Sequence, residues 1–184
     1  MEIYLVRHTT PRVEKGICYG QSDLDISDSF ELESKEILEK INFDSETKVY
    51  SSPSKRCTKL AALFNPIFKE DKRIFEINFG DWELKKWDDI PSEEMTPWMT
   101  DFVNVKVPNG ESYVELNKRS NEFFNEVIRN AASKNIIVCH SGVIRSILAK
   151  LTETALKDSF DIKIVYGQVS KITINKTTEV HISI

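Results

Sequence analysis

The chain has 184 residues, about one domain's worth and long enough to bury a substantial core. Its 40% hydrophobic and 29% charged residues are ordinary for a globular protein, and a formal net charge of -4 argues against a general nucleic-acid or membrane-surface binder, which needs a basic face. Three widely spaced cysteines, Cys18, Cys57 and Cys139, fit neither a disulfide framework nor a zinc ribbon and read as free thiols of a reducing compartment. The amino terminus has no basic segment leading into an apolar stretch, and no apolar run approaches the ~20 residues of a membrane span. A cytoplasmic location is therefore expected.

Taken in order, residues 3–6 form a short apolar run that predicts a buried strand. A polar, turn-rich stretch follows to about residue 29. Phe30, Leu32, Ile37, Leu38 and Ile41 recur at helical spacing. Residues 48–51 predict a short strand. Ser52-Pro53 reads as an N-cap with proline in the first helical position, opening a helix to about Phe64. Residues 73–77 are strand-like. Residues 78–111 carry Trp82, Trp87 and Trp98 and read as an irregular lid or binding insert within one domain spanning 1–184. A long amphipathic helix then presents Leu116, Phe123, Phe124, Val127 and Ile128 on one side. Residues 136–139 predict a buried strand, and a helix follows Gly142 to about Leu151. The last segment reads as strands 161–166, 169–175 and 178–183, with turns at Gly167-Gln168 and Asn175-Lys176.

Strands alternating with helices predict a three-layer α/β/α sandwich with a mostly parallel sheet; the closing strands predict an antiparallel edge. Ligands of such sheets sit beyond the carboxyl ends of the strands. Three polar clusters fall there: Arg7-His8, Glu76, and His140-Ser141-Gly142. They suit phosphoryl transfer, which needs positioned cations and N–H donors for three charged oxygens, a nucleophile, and an acid for the leaving oxygen. A neutral imidazole can attack phosphorus, and the planar fork of arginine matches phosphate oxygens without losing its charge. Arg56 supplies a second fork. Ser141 and Gly142 open a helix whose N–H groups suit an anion.

The segment Leu5-Val-Arg-His-Thr-Thr-Pro11 resembles the opening motif of the histidine phosphatase superfamily, also called phosphoglycerate mutase-like. Ser51-Ser-Pro-Ser-Lys-Arg56, Glu76-Ile-Asn-Phe-Gly-Asp-Trp-Glu83, Asn109-Gly-Glu-Ser112 and Val138-Cys-His-Ser-Gly142 resemble its later motifs, in the family's order. The resemblance implies that His8 becomes phosphohistidine, that Arg7, Arg56 and a protonated His140 hold the phosphoryl oxygens, and that Glu76 is the acid and then the base. It implies no metal or other cofactor and a small anionic phosphomonoester as partner. Cys18-Tyr-Gly-Gln-Ser-Asp-Leu-Asp25 is most similar to the alpha-ribazole phosphatase branch, which handles alpha-ribazole 5′-phosphate in cobalamin nucleotide-loop assembly. This likeness implies Tyr19, Gly20 and Gln21 at the substrate site. Thr9 stands where the family usually has glycine. Glu14 stands where many members have asparagine and reads as a solvated loop residue.

Other readings stay open at this level. Glu83 competes with Glu76 for the acid role. Cys139 to Arg145 matches the Cys-x5-Arg spacing of cysteine-dependent phosphatases, with a thiolate as nucleophile. A mutase, a broad-specificity phosphatase or a catalytically silent phosphoester binder would share the fold. Asp23, Asp25 and Asp28 do not fit a calcium loop and read as a solvated turn. The tryptophans either pack as core or line a pocket for an aromatic leaving group, and His181 reads as structural. Oligomeric state is not legible.

Overall fold

The computed structural model describes residues 1–130, 132–175 and 180–183. A six-stranded sheet runs in the order β3-β2-β4-β1-β5-β6. Its strands are β1 (Glu2–Arg7), β2 (Lys48–Ser51), β3 (Lys69–Glu70), β4 (Lys134–Cys139), β5 (Val169–Ile174) and β6 (Val180–Ser183). The β3-β2-β4-β1 block is parallel, and β5 and β6 add an antiparallel edge.

Alternation along β1 builds both core layers, because successive side chains leave opposite faces of a strand. Ile3 and Leu5 join one cluster with Phe123, Phe124, Ile144 and Ile147, on the side of α4 (Tyr113–Arg129) and α5 (Ser141–Leu151). Tyr4 and Val6 join the other with Ile37, Leu60 and Ala61, on the side of α1 (Phe30–Glu39) and α2 (Lys55–Phe64). Helix α4 opens on a capping box in which Ser112 and Glu115 satisfy each other's backbone N–H groups. The expected three-layer arrangement is thus present. Among the described residues, no helix is long and apolar enough to cross a membrane.

Local readings needed correction where distant contacts override short patterns. Residues 73–77 are not a strand. Asp71 accepts from the Arg73 N–H and starts a 3-10 turn at Lys72–Ile74, while Arg119 of α4 takes the carbonyls of Arg73, Phe75 and Glu76. Residues 161–166 are not a strand either; a 3-10 helix fills Leu156–Asp161, and the Ile162 and Ile164 carbonyls accept from Arg145 and Arg7. Helix α2 begins at Lys55 instead of Pro53, its first N–H donating to Asp23 at 2.8 Å. Helix α5 starts at Ser141, two residues earlier than expected, and includes Gly142. Residues 78–111 are less irregular than their prolines suggest: α3 (Ser92–Thr100) forms there with Pro97 inside it. Gly167 turns with φ +68°, as the Gly167-Gln168 reading required; Lys176 of the second expected turn lies outside the described residues.

Candidate active site

Strand register creates the site. Arg7 is opposite Cys139 across β1-β4, and Ser51 is opposite Val138 across β2-β4. The residues that leave these three strands are therefore neighbours: His8 N–H donates to the Cys139 carbonyl (3.1 Å) and Ser52 N–H to the Val138 carbonyl (2.9 Å). His8, His140 and Arg56 emerge side by side, all at most 2% exposed. They line a pocket of about 190 Å³ together with Arg7, Glu76, Tyr19, Ser141 and Gly142. Gly20 and Gln21 are placed behind this lining. The Gly20 carbonyl accepts from Arg56 Nη2 (2.6 Å), and Gln21 Nε2 donates to the Glu76 carbonyl (3.0 Å).

The tautomer of His8 follows from its partners. Its Nδ1–H donates to the Thr9 carbonyl at 2.7 Å, which leaves Nε2 with a free lone pair. Arg56 Nε–H points at that lone pair from 3.3 Å. Burial, then the positive charges of Arg56 and Arg7, hold the His8 imidazole well below its ordinary pKa of 6.5, against a smaller opposing pull from the Thr9 carbonyl. The ring is thus neutral and presents a nucleophilic nitrogen.

His140 meets His8 edge-on, ring centroids 5.1 Å apart. Arg56 Nη2 faces its Nδ1 at 3.4 Å, so the ring proton sits on Nε2 and donates to Ser52 Oγ at 2.8 Å. Burial and the nearby Arg56 push His140 well below 6.5 as well. Low dielectric and the adjacent guanidinium groups thus favour the neutral ring. Ser52, expected as a helix cap, instead orients this ring.

Arg56 donates through Nη1 to the Ser22 carbonyl (2.8 Å) and through Nη2 to Gly20. Arg7 donates to the Ile164 carbonyl (2.7 Å) and lies under the Tyr166 ring, 3.9 Å from its centroid, while its buried Nε has no partner. The Tyr19 and Tyr166 hydroxyls meet at 2.5 Å.

Glu76 sits at the amino end of α5. Its Oε2 accepts from the Gly142 N–H (3.0 Å) and Ser141 Oγ (3.3 Å), and its Oε1 from the Ile77 N–H (3.0 Å). A Cβ on residue 142 would lie 2.3 Å from Oε1, so any side chain there would push the carboxylate away from its present donors. Arg119 and Glu111 hold the strand of chain behind it: Arg119 donates to both Glu111 oxygens and to the Glu76 carbonyl, and Glu111 Oε2 accepts from the Asn78 N–H.

The two carboxylates differ in placement: Glu76 lines the pocket and Glu83 is held by its own donors. Glu83 does not line the pocket. It accepts from the N–H groups of Gly20, Gln21, Ser22 and Phe79 and from the Ser22 hydroxyl. Burial raises its pKa, but these donors outweigh burial and lower it overall. It is a brace for the 20–22 loop. Cys139 is fully buried in the α4–α5 core cluster, and burial drives its thiol well above 9.0, so it is no ready thiolate. Arg145, its would-be partner, does line the pocket.

The wall away from His8 is aromatic: Phe79, Trp87, Trp98, Phe102, Tyr113 and Phe160. Trp82 is core, with its indole N–H donating to Glu94 of α3. The tryptophans therefore divide, one structural and two at the pocket. Glu14 is exposed and outside the pocket, Asp23 and Asp25 pair with Lys55 and Lys59, Asp28 pairs with Arg12, and His181 is exposed on β6. Among the described residues, no group of three or more His, Cys, Asp or Glu is placed to hold a metal ion.

Residues 3–182 match the model of the histidine phosphatase superfamily (branch 1). A Hydrogenobacter thermophilus protein named "Putative phosphoserine phosphatase 2" is 26% identical over 92% of this chain and 88% of its own. An adenosylcobalamin/alpha-ribazole phosphatase of Salmonella typhimurium is 28% identical over 54% of this chain and 51% of its own. In fold, the chain is similar to the alpha-ribazole phosphatase of Shigella flexneri, with a TM-score of 0.86 at 20% identity over 100% of this chain and 95% of that one. It is also similar to mycobacterial glucosyl-3-phosphoglycerate phosphatase, with a TM-score of 0.79 at 16% identity over 93% and 89%. The match over nearly the whole length, with the matching motifs gathered around one pocket, makes this chain a member of branch 1 of the histidine phosphatase superfamily.

Proposed function

We propose that the protein is a metal-independent phosphomonoesterase working through phosphohistidine at His8. The observation that carries this reading is the neutral His8 ring, its Nε2 lone pair facing the pocket beside Arg56 and its Nδ1–H committed to Thr9. Nε2 attacks phosphorus and the P–O ester bond breaks, with the alcohol oxygen taking a proton from Glu76. Water then attacks phosphorus, gives its proton to Glu76, and the P–N bond breaks. Arg7 and Arg56 hold the equatorial oxygens throughout. Arrival of a dianion reverses the local charge at His140 and favours its protonation, giving a third donor.

Residues 78–111 act as the lid of a single domain and supply most of the wall for the alcohol, with Tyr113 and Phe160 completing it. Trp87, Trp98, Phe102 and Phe160 suit a flat aromatic group, and alpha-ribazole 5′-phosphate, a ribosylated benzimidazole ester, is the substrate assigned here. The similarly folded and partly homologous alpha-ribazole phosphatases support the same choice. The test is acid quench during turnover. It is expected to trap acid-labile, base-stable phosphate on the wild-type protein and none on His8→Ala, with turnover of alpha-ribazole 5′-phosphate above that of 3-phosphoglycerate and simple sugar phosphates. Label retained in His8→Ala would end the mechanism, and equal, weak turnover of all esters would end the substrate assignment.

A further inference from the structure

Three arginines line the pocket, and none of them has a carboxylate partner among the described residues. Arg7 and Arg56 flank His8 and are absorbed by phosphoryl binding. Arg145 is left over. It lies on α5 four residues after Ser141, one turn farther along the same helix face. Its side chain is half buried, which makes the missing counter-charge costly. Its Nε donates to the Ile162 carbonyl at 3.0 Å, and among the described residues no hydrogen bond engages its Nη groups. The guanidinium stands over the Phe160 ring, 4.8 Å from the centroid. Arg145 shares the aromatic wall with Phe160, and Glu76 packs against the first turn of the same helix through the Gly142 N–H (3.0 Å). It therefore stands on the Glu76 side of the pocket, where the alcohol half of an ester must lie, and is held there by a backbone carbonyl and an aromatic face.

We infer that Arg145 is the residue that selects the leaving group, its free Nη–H groups donating to an oxygen acceptor carried by the alcohol half of the substrate. The inference rests on the phosphatase reading. The acceptor is either a sugar hydroxyl, as in a ribosyl ester, or a carboxylate, as in phosphoserine; both present oxygen to the fork, and the substrates used in the test separate them.

The experiment measures kcat and KM of the full chain and of Arg145→Met and Arg145→Lys on three esters. Phenyl phosphate has an alcohol with no further acceptor; alpha-ribazole 5′-phosphate carries hydroxyls; O-phosphoserine carries a carboxylate. The ratio of kcat/KM for the preferred acceptor-bearing ester to that for phenyl phosphate is expected to fall roughly 10- to 100-fold in Arg145→Met, the scale of a lost hydrogen bond to a charged group. The fall should appear mainly in KM. Arg145→Lys, which keeps the charge but not the fork, should recover part of the ratio and decides the matter if the Met variant does not fold. A ratio that stays within threefold of wild type, or an equal loss on all three esters, overturns the inference, because Arg145 would then be either idle or a third phosphoryl clamp. Wild-type protein inactive on every ester would instead sink the phosphatase reading, and this inference with it.

Discussion

The two ends of the pocket are built in opposite ways. The phosphoryl end comes from the carboxyl ends of three adjacent parallel strands, is buried, and is polar through and through: Arg7, His8, Ser52, Arg56 and His140. The other end draws on the 78–111 insert with its helix α3, on the first residue of α4 and on the 156–161 turn, is aromatic, and carries one spare cation, Arg145 of α5. The first end is fixed by ladder register, which cannot slip without turning every side chain of β1 to the wrong face. The second is held by aromatic packing of an insert whose sequence can change without disturbing the sheet. On the proposed function, reaction type belongs to the strand ends, and substrate choice to the insert together with Arg145 of α5 and Phe160.

The comparison breaks most visibly at the phosphoryl end. Arg56→Ala or Arg7→Ala is expected to lower kcat/KM about 100- to 1000-fold on every phosphomonoester alike, the usual cost of a lost transition-state donor. A loss under threefold in steady-state assays would remove that residue from the phosphoryl site.

A change at the other end sharpens the comparison. Trp98→Ala should reduce the preference for an aromatic over an aliphatic leaving group by about 3- to 10-fold, the worth of one aromatic pair. A uniform loss on both kinds of ester would show that the two ends are not separable.

The smallest effect tests the neutral histidines at the phosphoryl end. Burial holds His8 and His140 below 6.5 in the fold, whereas the unfolded chain lets them titrate near that value. Below pH 6.5 the unfolded state binds more protons, so stability falls as pH falls, by at most about 1.4 kcal/mol per pH unit for each ring. Thermal melts between pH 7.5 and 5.5 should show this slope, and His140→Gln should reduce it. An unchanged slope would mean that His140 is already charged in the fold.

Short-range pattern carried much of this protein. Continuous apolar runs at β1 and β4, helical spacing in α1 and α4, and polar residues directly after those runs were enough to expect Arg7-His8 and His140 on one rim, with Glu76 expected there from a strand that does not form. Ser52, Glu83 and Arg119 were misread or missed because their partners lie tens of positions away: Ser52 serves His140, Glu83 serves Gly20 to Ser22, and Arg119 serves Glu76. The strand expected at residues 73–77 failed for the same reason, since Arg119 consumes its carbonyls.

What the sequence alone supplied is the inventory: a histidine and an arginine directly after an apolar strand, a second arginine at a helix start, a second histidine before a glycine that opens a helix, and a family resemblance that implies their roles. Local pattern sufficed for that, because the His8 and His140 motifs are strand ends followed by a turn or a helix start. Tertiary structure decided which groups are charged and which carboxylate faces the pocket. It also set Arg145 apart from the phosphoryl clamps. Those outcomes depend on burial and on distances of a few ångströms between segments, and only the packed sheet with its helices and insert sets them.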